Sequence, residues 1–208
     1  LLNITKLITK ISDRNKINMQ NIAISKLENY QKNSETLIII PTYNEEENIE
    51  KLINSIQDNY KFDILVINDN STDKTPKILD RLDCPHIDLA YNSGYGVALE
   101  TGYIFSARKD YKYTIQIDAD GQHDPADIQN LINEIKDCDH DAVIGSRFLS
   151  QNSNYKPSIG KKFGIVIMKY ILSIITGKKI TDPTSGYQAL NANVIKYFTK
   201  KIRFPAEY

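Results

Sequence analysis

A mostly parallel α/β sheet with helices on both faces is the fold this sequence predicts, on three observations. Short strand-like runs, "TLIII", "FDILVIND" and "KYTIQID", alternate with segments of helical periodicity. The first two are apolar at consecutive positions, as strands buried on both faces must be. Polar and acidic residues then stand just after the runs, beyond the strand ends, where open sheets of this kind bind ligands. With 208 residues, the chain can bury one sizeable core.

Taken in order, residues 1–35 read as an amino-terminal helical extension and residues 36–208 as the α/β domain. Ile4, Leu7, Ile8 and Ile11 recur at helical spacing. That stripe suits packing on the domain or a neighbour, or a membrane surface. "TLIII", stopped by Pro41, predicts the first strand. Ile49, Leu52, Ile53 and Ile56 share one face of the next helix, whose first turn is acidic. "FDILVIND" predicts the second strand, closed by the turn residues of "DNSTDKT". A short helix carries Ile78, Leu79 and Leu82, and "IDLAY" is a third, weaker strand. "NSGYG" reads as a turn before a helix over residues 97–109. "KYTIQID" is the fourth strand. Asp124 as N-cap and Pro125 at the first position open a helix with Ile128, Leu131, Ile132 and Ile135 inward. "DAVIGSRF" predicts a fifth strand.

Composition narrows the function. Net charge is zero, so no global field attracts nucleic acid. Cys84 and Cys138 form no ligand motif and read as reduced thiols in a cytosolic setting. Lys6 and Lys10 interrupt the apolar residues that a secretory leader would need. Residues 156–179 carry six lysines and no acid. Between them, "FGIVIMKYILSII", residues 163–175, predicts a core helix, with an interfacial helix on anionic lipid as the rival. It is shorter than the roughly 18 apolar residues that span a bilayer.

Asp118 and Asp120, one residue apart in "IDADGQH", are the sharpest chemical signal. Two carboxylates at a strand end repel unless a cation lies between them. Their hard oxygens suit Mg2+ or Mn2+, which commonly share such ligands with substrate phosphates. An acidic turn capping the next helix is the plainer reading of the same residues. Asp69, directly after the second strand, is placed to accept hydrogen bonds from a base or ribose, with Ser71 and Asp73 holding the turn. "GYGVALETG" is a weak dinucleotide fingerprint and reads better as a glycine turn. His123 reads as structural or exposed.

Jointly, "IIIPTYNEEENI", "VINDNSTDKT", "NSGYGVALETG", "IDADGQHDP" and "GSRF" resemble the family 2 glycosyltransferases, and "ITDPTSGYQALN" resembles their dolichyl-phosphate mannose synthase and polyprenyl-phosphate branch. The resemblance spans about residues 36–198. It implies the GT-A fold, a Rossmann-like sheet, and metal-dependent inverting transfer of a sugar from a UDP- or GDP-linked donor. Pro41, Tyr43, Glu45 and Asp69 match the nucleoside-binding positions. Asp118 and Asp120 match the metal and diphosphate ligands, with Gln122 a further metal candidate. Arg147 matches a phosphate-binding arginine, and Asp182 the acid near the reaction centre. Lys161 and Lys162 stand where this branch carries an arginine; they supply charge without its bidentate fork. The implied acceptor is a polyprenyl phosphate at the cytoplasmic face of a membrane. A glycan hydroxyl in cell-surface polysaccharide synthesis is the alternative acceptor. A receiver-type phosphorylation switch is the alternative from another class.

Overall fold

The computed structural model describes residues 2–138, 140–146, 159–177, 181–182 and 184–202. Six strands form one sheet in the order β3-β2-β1-β4-β6-β5. They are β1 (Thr36–Thr42), β2 (Asp63–Asn68), β3 (His86–Asp88), β4 (Tyr113–Gln116), β5 (Ala142–Ile144) and β6 (Gln188–Asn191). The helices are α1 (Leu2–Ser25), α2 (Ile49–Asn59), α3 (Thr75–Arg81), α4 (Tyr95–Arg108), α5 (Ile128–Asp137), α6 (Ile159–Thr176) and α7 (Ala192–Ile202). β1 pairs in parallel with β2 and β4, and β2 with β3. β6 runs antiparallel to both β4 and β5.

β1 is buried along its whole length, and its side chains divide between two cores. Ile38 and Ile40 face a core completed by Ile49, Ile53 and Ile56 of α2 and by Ile128, Leu131, Ile132 and Ile135 of α5. Leu37 and Ile39 face the other, with Met19 and Ala23 of α1, Phe105 of α4 and Ile195 of α7. Each such aliphatic side chain gains roughly 1.5–3 kcal/mol from burial. This two-sided cover is why the run is apolar without alternation.

Element ends differ from the sequence expectation in instructive ways. α4 starts at Tyr95, so "NSGYG" is half turn and half helix. Asp124 does cap, accepting the Ala126 N–H, but over a short 3-10 turn that precedes α5. The fifth strand stops at Ile144 and does not border β4. β6, unpredicted, lies between them and restores β5 to the direction of β4. The apolar stretch of α6 is not a core helix among its described residues: Val166, Met168, Tyr170, Ile171, Ile174 and Ile175 are exposed.

Candidate functional site

The carboxyl ends of β1, β2 and β4 open into a cavity of about 350 Å3. Pro41, Thr42, Tyr43, Glu45, Asp69, Gly94, Tyr95, Asp118 and Asp120 are among its lining residues. Residues scattered over some eighty positions of sequence meet because parallel strands deliver their ends to one edge.

Two loops form one wall of the cavity. Asn44 and Asn70 both take positive φ, which asparagine tolerates better than most residues. The loops then bond reciprocally. Asn44 N–H donates to Ser71 Oγ at 2.9 Å, and Thr72 N–H to Asn44 Oδ1 at 2.8 Å. Glu46 N–H donates to Asp73 Oδ2 at 3.1 Å, and Lys74 N–H to Glu46 Oε2 at 2.9 Å. Asp73 therefore holds the turn. Burial raises its pKa and the hydrogen bonds that it accepts lower it, and the net shift is downward. Asp69 is buried, and its two oxygens accept the Ser93 and Gly94 N–H groups, each at 2.7 Å. It thereby fastens the start of α4 to the cavity floor. Gly94 sits at φ 89°, a conformation glycine adopts at little cost.

Asp118 and Asp120 flank the buried Ala119 just past β4. Tyr95 Oη donates to Asp118 Oδ1 at 2.6 Å. Gln116 Nε2 in turn donates to Tyr95 Oη at 2.7 Å, while Gln116 Oε1 accepts from Tyr103 Oη at 2.5 Å and Gln188 Nε2 at 2.9 Å. Burial first, and the Asp118 carboxylate second, push the Tyr95 hydroxyl well above its usual pKa, so it remains a donor. Neither Tyr95 nor Gln116 was singled out from sequence. The available signal was Gln116 itself, a polar residue inside an apolar strand, since buried amides must be paired.

The segment leading into β6 approaches Asp118 from the other side. A Cβ on Gly186 would lie 2.3 Å from Asp118 Oδ2 and 2.8 Å from Tyr95 Oη, so only glycine lets this segment approach the carboxylate. Ser185 Oγ donates to the Gly145 carbonyl at 2.5 Å, and Gly145 N–H to the Tyr187 carbonyl at 2.8 Å, zipping the end of β5 to the start of β6. Asp182, four residues before Gly186, is buried, and its Oδ1 accepts the Thr184 N–H and hydroxyl.

The cavity thus gathers Pro41, Tyr43, Glu45, Asp69, Asp118 and Asp120. Gln122 is exposed beside them and gives its N–H to Asp120 Oδ1 at 3.0 Å. Asp182 is not among the cavity's lining residues. His123 is buried and packs on the Tyr187 ring, 4.9 Å between centroids, a structural position. Arg147 and the side chains of Lys161 and Lys162 lie outside the described residues.

The profile of the "Glycosyl transferase family 2" family matches residues 37–198. The chain belongs to glycosyl transferase family 2. One relative of this family 2 glycosyltransferase is the UDP-N-acetylglucosamine–dolichyl-phosphate N-acetylglucosaminyltransferase of Methanococcus voltae, 28% identical over 80% of this chain and 73% of the relative. Another is the polyprenol monophosphomannose synthase of Mycolicibacterium smegmatis, 30% identical over 77% of this chain and 63% of the relative. Glucosyl-3-phosphoglycerate synthase of Mycobacterium tuberculosis, solved with Mn2+ and UDP-glucose, shares the fold. Its TM-score is 0.59 at 20% identity, over 82% of this chain and 61% of the solved one. The family assignment and the strand order set aside a receiver domain, whose sheet runs 2-1-3-4-5.

Proposed function

We propose that this family 2 glycosyltransferase moves a sugar from a nucleoside diphosphate to a polyprenyl phosphate, with inversion, at the cytoplasmic face of a membrane. The carrying observation is the single cavity in which the Pro41–Glu45 loop and Asp69 meet Asp118 and Asp120. In the reaction, an acceptor phosphate oxygen attacks the anomeric carbon while the bond to the donor diphosphate breaks and its electron pair leaves on that diphosphate. The acceptor is already ionised near neutral pH and needs no strong base. A hydroxyl acceptor would need one, and Asp182 would be the candidate.

The donor set fits a hard divalent cation: two carboxylates at the cavity, one oriented by Tyr95 and admitted closely by Gly186. Asp118 and Asp120, with Gln122 nearby, would hold Mg2+ or Mn2+, whose chemistry when bound is Lewis-acid stabilisation of the leaving diphosphate. Tyr43 and Glu45 would face the nucleoside. Asp69 acts there at least by anchoring Ser93 and Gly94. Arg147, Lys161 and Lys162 supply cations for the acceptor phosphate. The relatives' names support the lipid phosphate, and the exposed apolar residues of α6 support a membrane position. Among the described residues no helix is long and apolar enough to cross a bilayer.

The test is transfer from UDP- and GDP-sugars to a short-chain polyprenyl phosphate, read as sugar-phosphate lipid by mass spectrometry. Product that requires Mn2+ or Mg2+ is expected. Transfer to a glycan hydroxyl in preference to the lipid phosphate would contradict the acceptor assignment.

A further inference from the structure

The carboxyl-terminal half of α1 is fastened to α4. Lys16 Nζ pairs with Glu100 Oε2 at 3.1 Å, Gln20 Nε2 donates to Thr101 Oγ1 at 3.1 Å, and Met19, Ala23 and Ile24 are buried. The stretch from Gln20 into the turn after α1 follows α4 from its start to its end. Gln20 meets Val97 and Thr101 near the start of α4, whereas Lys109, just past its end, donates to the carbonyls of Glu28 and Tyr30. α4 itself starts at the cavity, with Tyr95 on Asp118. At about 1.5 Å of rise per residue, Ile4 lies roughly 20 Å beyond the level of Gln20. The first half of α1 therefore extends beyond its contacts with α4, whose own start lies at the cavity.

That projecting half is uncovered. Ile4, Leu7, Ile8 and Ile11 are 63%, 58%, 62% and 51% exposed. At helical spacing they share one stripe about 100° wide, which lies beside the Met19–Ala23 face that packs on the domain rather than on it. Asn15 and Asn18 end the apolar stripe before the exposed Ile22, and these three line a cavity with residues 88–91. Lys10 and Arg14 border the stripe on one side and Lys6 lies just beyond them, while Asp13 is the single acid before Lys16. An apolar stripe bordered by cations is complementary to an anionic lipid surface, with aliphatic chains at the acyl boundary and cations at the headgroups. The family profile matches residues 37–198, so α1 lies outside the matched stretch.

We infer that the amino-terminal half of α1 is a lipid-surface anchor, laying Ile4, Leu7, Ile8 and Ile11 into an anionic membrane so that the cavity opens toward it. The inference deepens the lipid-phosphate reading above and rests on it for the reason a membrane belongs near the cavity. The experiment is flotation of the full chain with vesicles of phosphatidylcholine, with and without phosphatidylglycerol. Wild type is expected to float with the anionic vesicles. A Leu7→Asp/Ile8→Asp variant should lose at least tenfold in apparent affinity with its melting temperature unchanged. Lys6→Glu/Lys10→Glu should weaken binding to the anionic vesicles and leave the neutral ones unaffected. Equal flotation of wild type and Leu7→Asp/Ile8→Asp overturns the anchor, as does a wild-type dimer in sedimentation that this variant breaks into monomers. Binding of UDP or GDP with Mn2+, measured on the same samples, reports separately on the transferase reading.

Discussion

Tyr95 shows how much of a site can depend on a residue that need not touch substrate. Its hydroxyl donates to Asp118 and is itself held by Gln116, which Tyr103 and Gln188 fix in turn. Tyr95→Phe keeps the ring and removes one hydrogen bond to a carboxylate, an interaction worth about 1.5–3 kcal/mol. The expected result is metal-dependent nucleotide binding weakened roughly tenfold or more, measured by calorimetric titration, beside a melting temperature lowered by several degrees. Unaltered affinity would show that Asp118 needs no such support. The Asp118–Asp120 pair was legible because two acids at a strand end demand an explanation. Tyr95 was not, because its meaning arises only when α4, β4 and β6 are brought together.

Packing decides what can change at the scale of elements. A Cβ on Gly102 of α4 would come within 2.6 Å of Ile39 Cγ2, and both Ile39 and Gly102 are buried. Gly102→Val should overpack this contact and cost about 1–3 kcal/mol, seen as a lower denaturation midpoint. No loss would mean that α4 can retreat from the sheet. The central strands were readable because two-sided burial writes itself as continuous apolar residues in "TLIII" and "ILVI". β6 was not, since "QALN" is four residues long and its pairing with β4 spans more than seventy positions. The fifth strand was found and its neighbour missed for the same reason. α6 read as a core helix with an interfacial helix as the rival, and most of its described apolar side chains are exposed, because apolar composition alone does not say which surface covers it.

Burial separates the two thiols at the scale of the molecule. Cys84 lies in the α2–α5 core, where burial, then Asp83, pushes its pKa up to about 12. Cys138, at the end of α5, is exposed. A thiol reagent acting on the native chain should label Cys138 alone, and Cys84 only as denaturant opens the core. Rapid labelling of both in the folded protein would contradict the described packing. At this scale the edge was foreseeable from sequence, because each parallel strand ended in polar residues. The placement of α1 and α6 was not, because it depends on which surfaces the domain leaves uncovered.

The central claim is that Asp118 and Asp120 bind a divalent cation together with a nucleoside diphosphate. Calorimetric titration of UDP and GDP into the wild-type chain and into Asp120→Asn, each with and without Mn2+, tests it most directly. The account predicts Mn2+-dependent binding of at least one nucleotide by the wild type and its loss in a folded Asp120→Asn. Binding of the same strength without metal, or undiminished in Asp120→Asn, would contradict it.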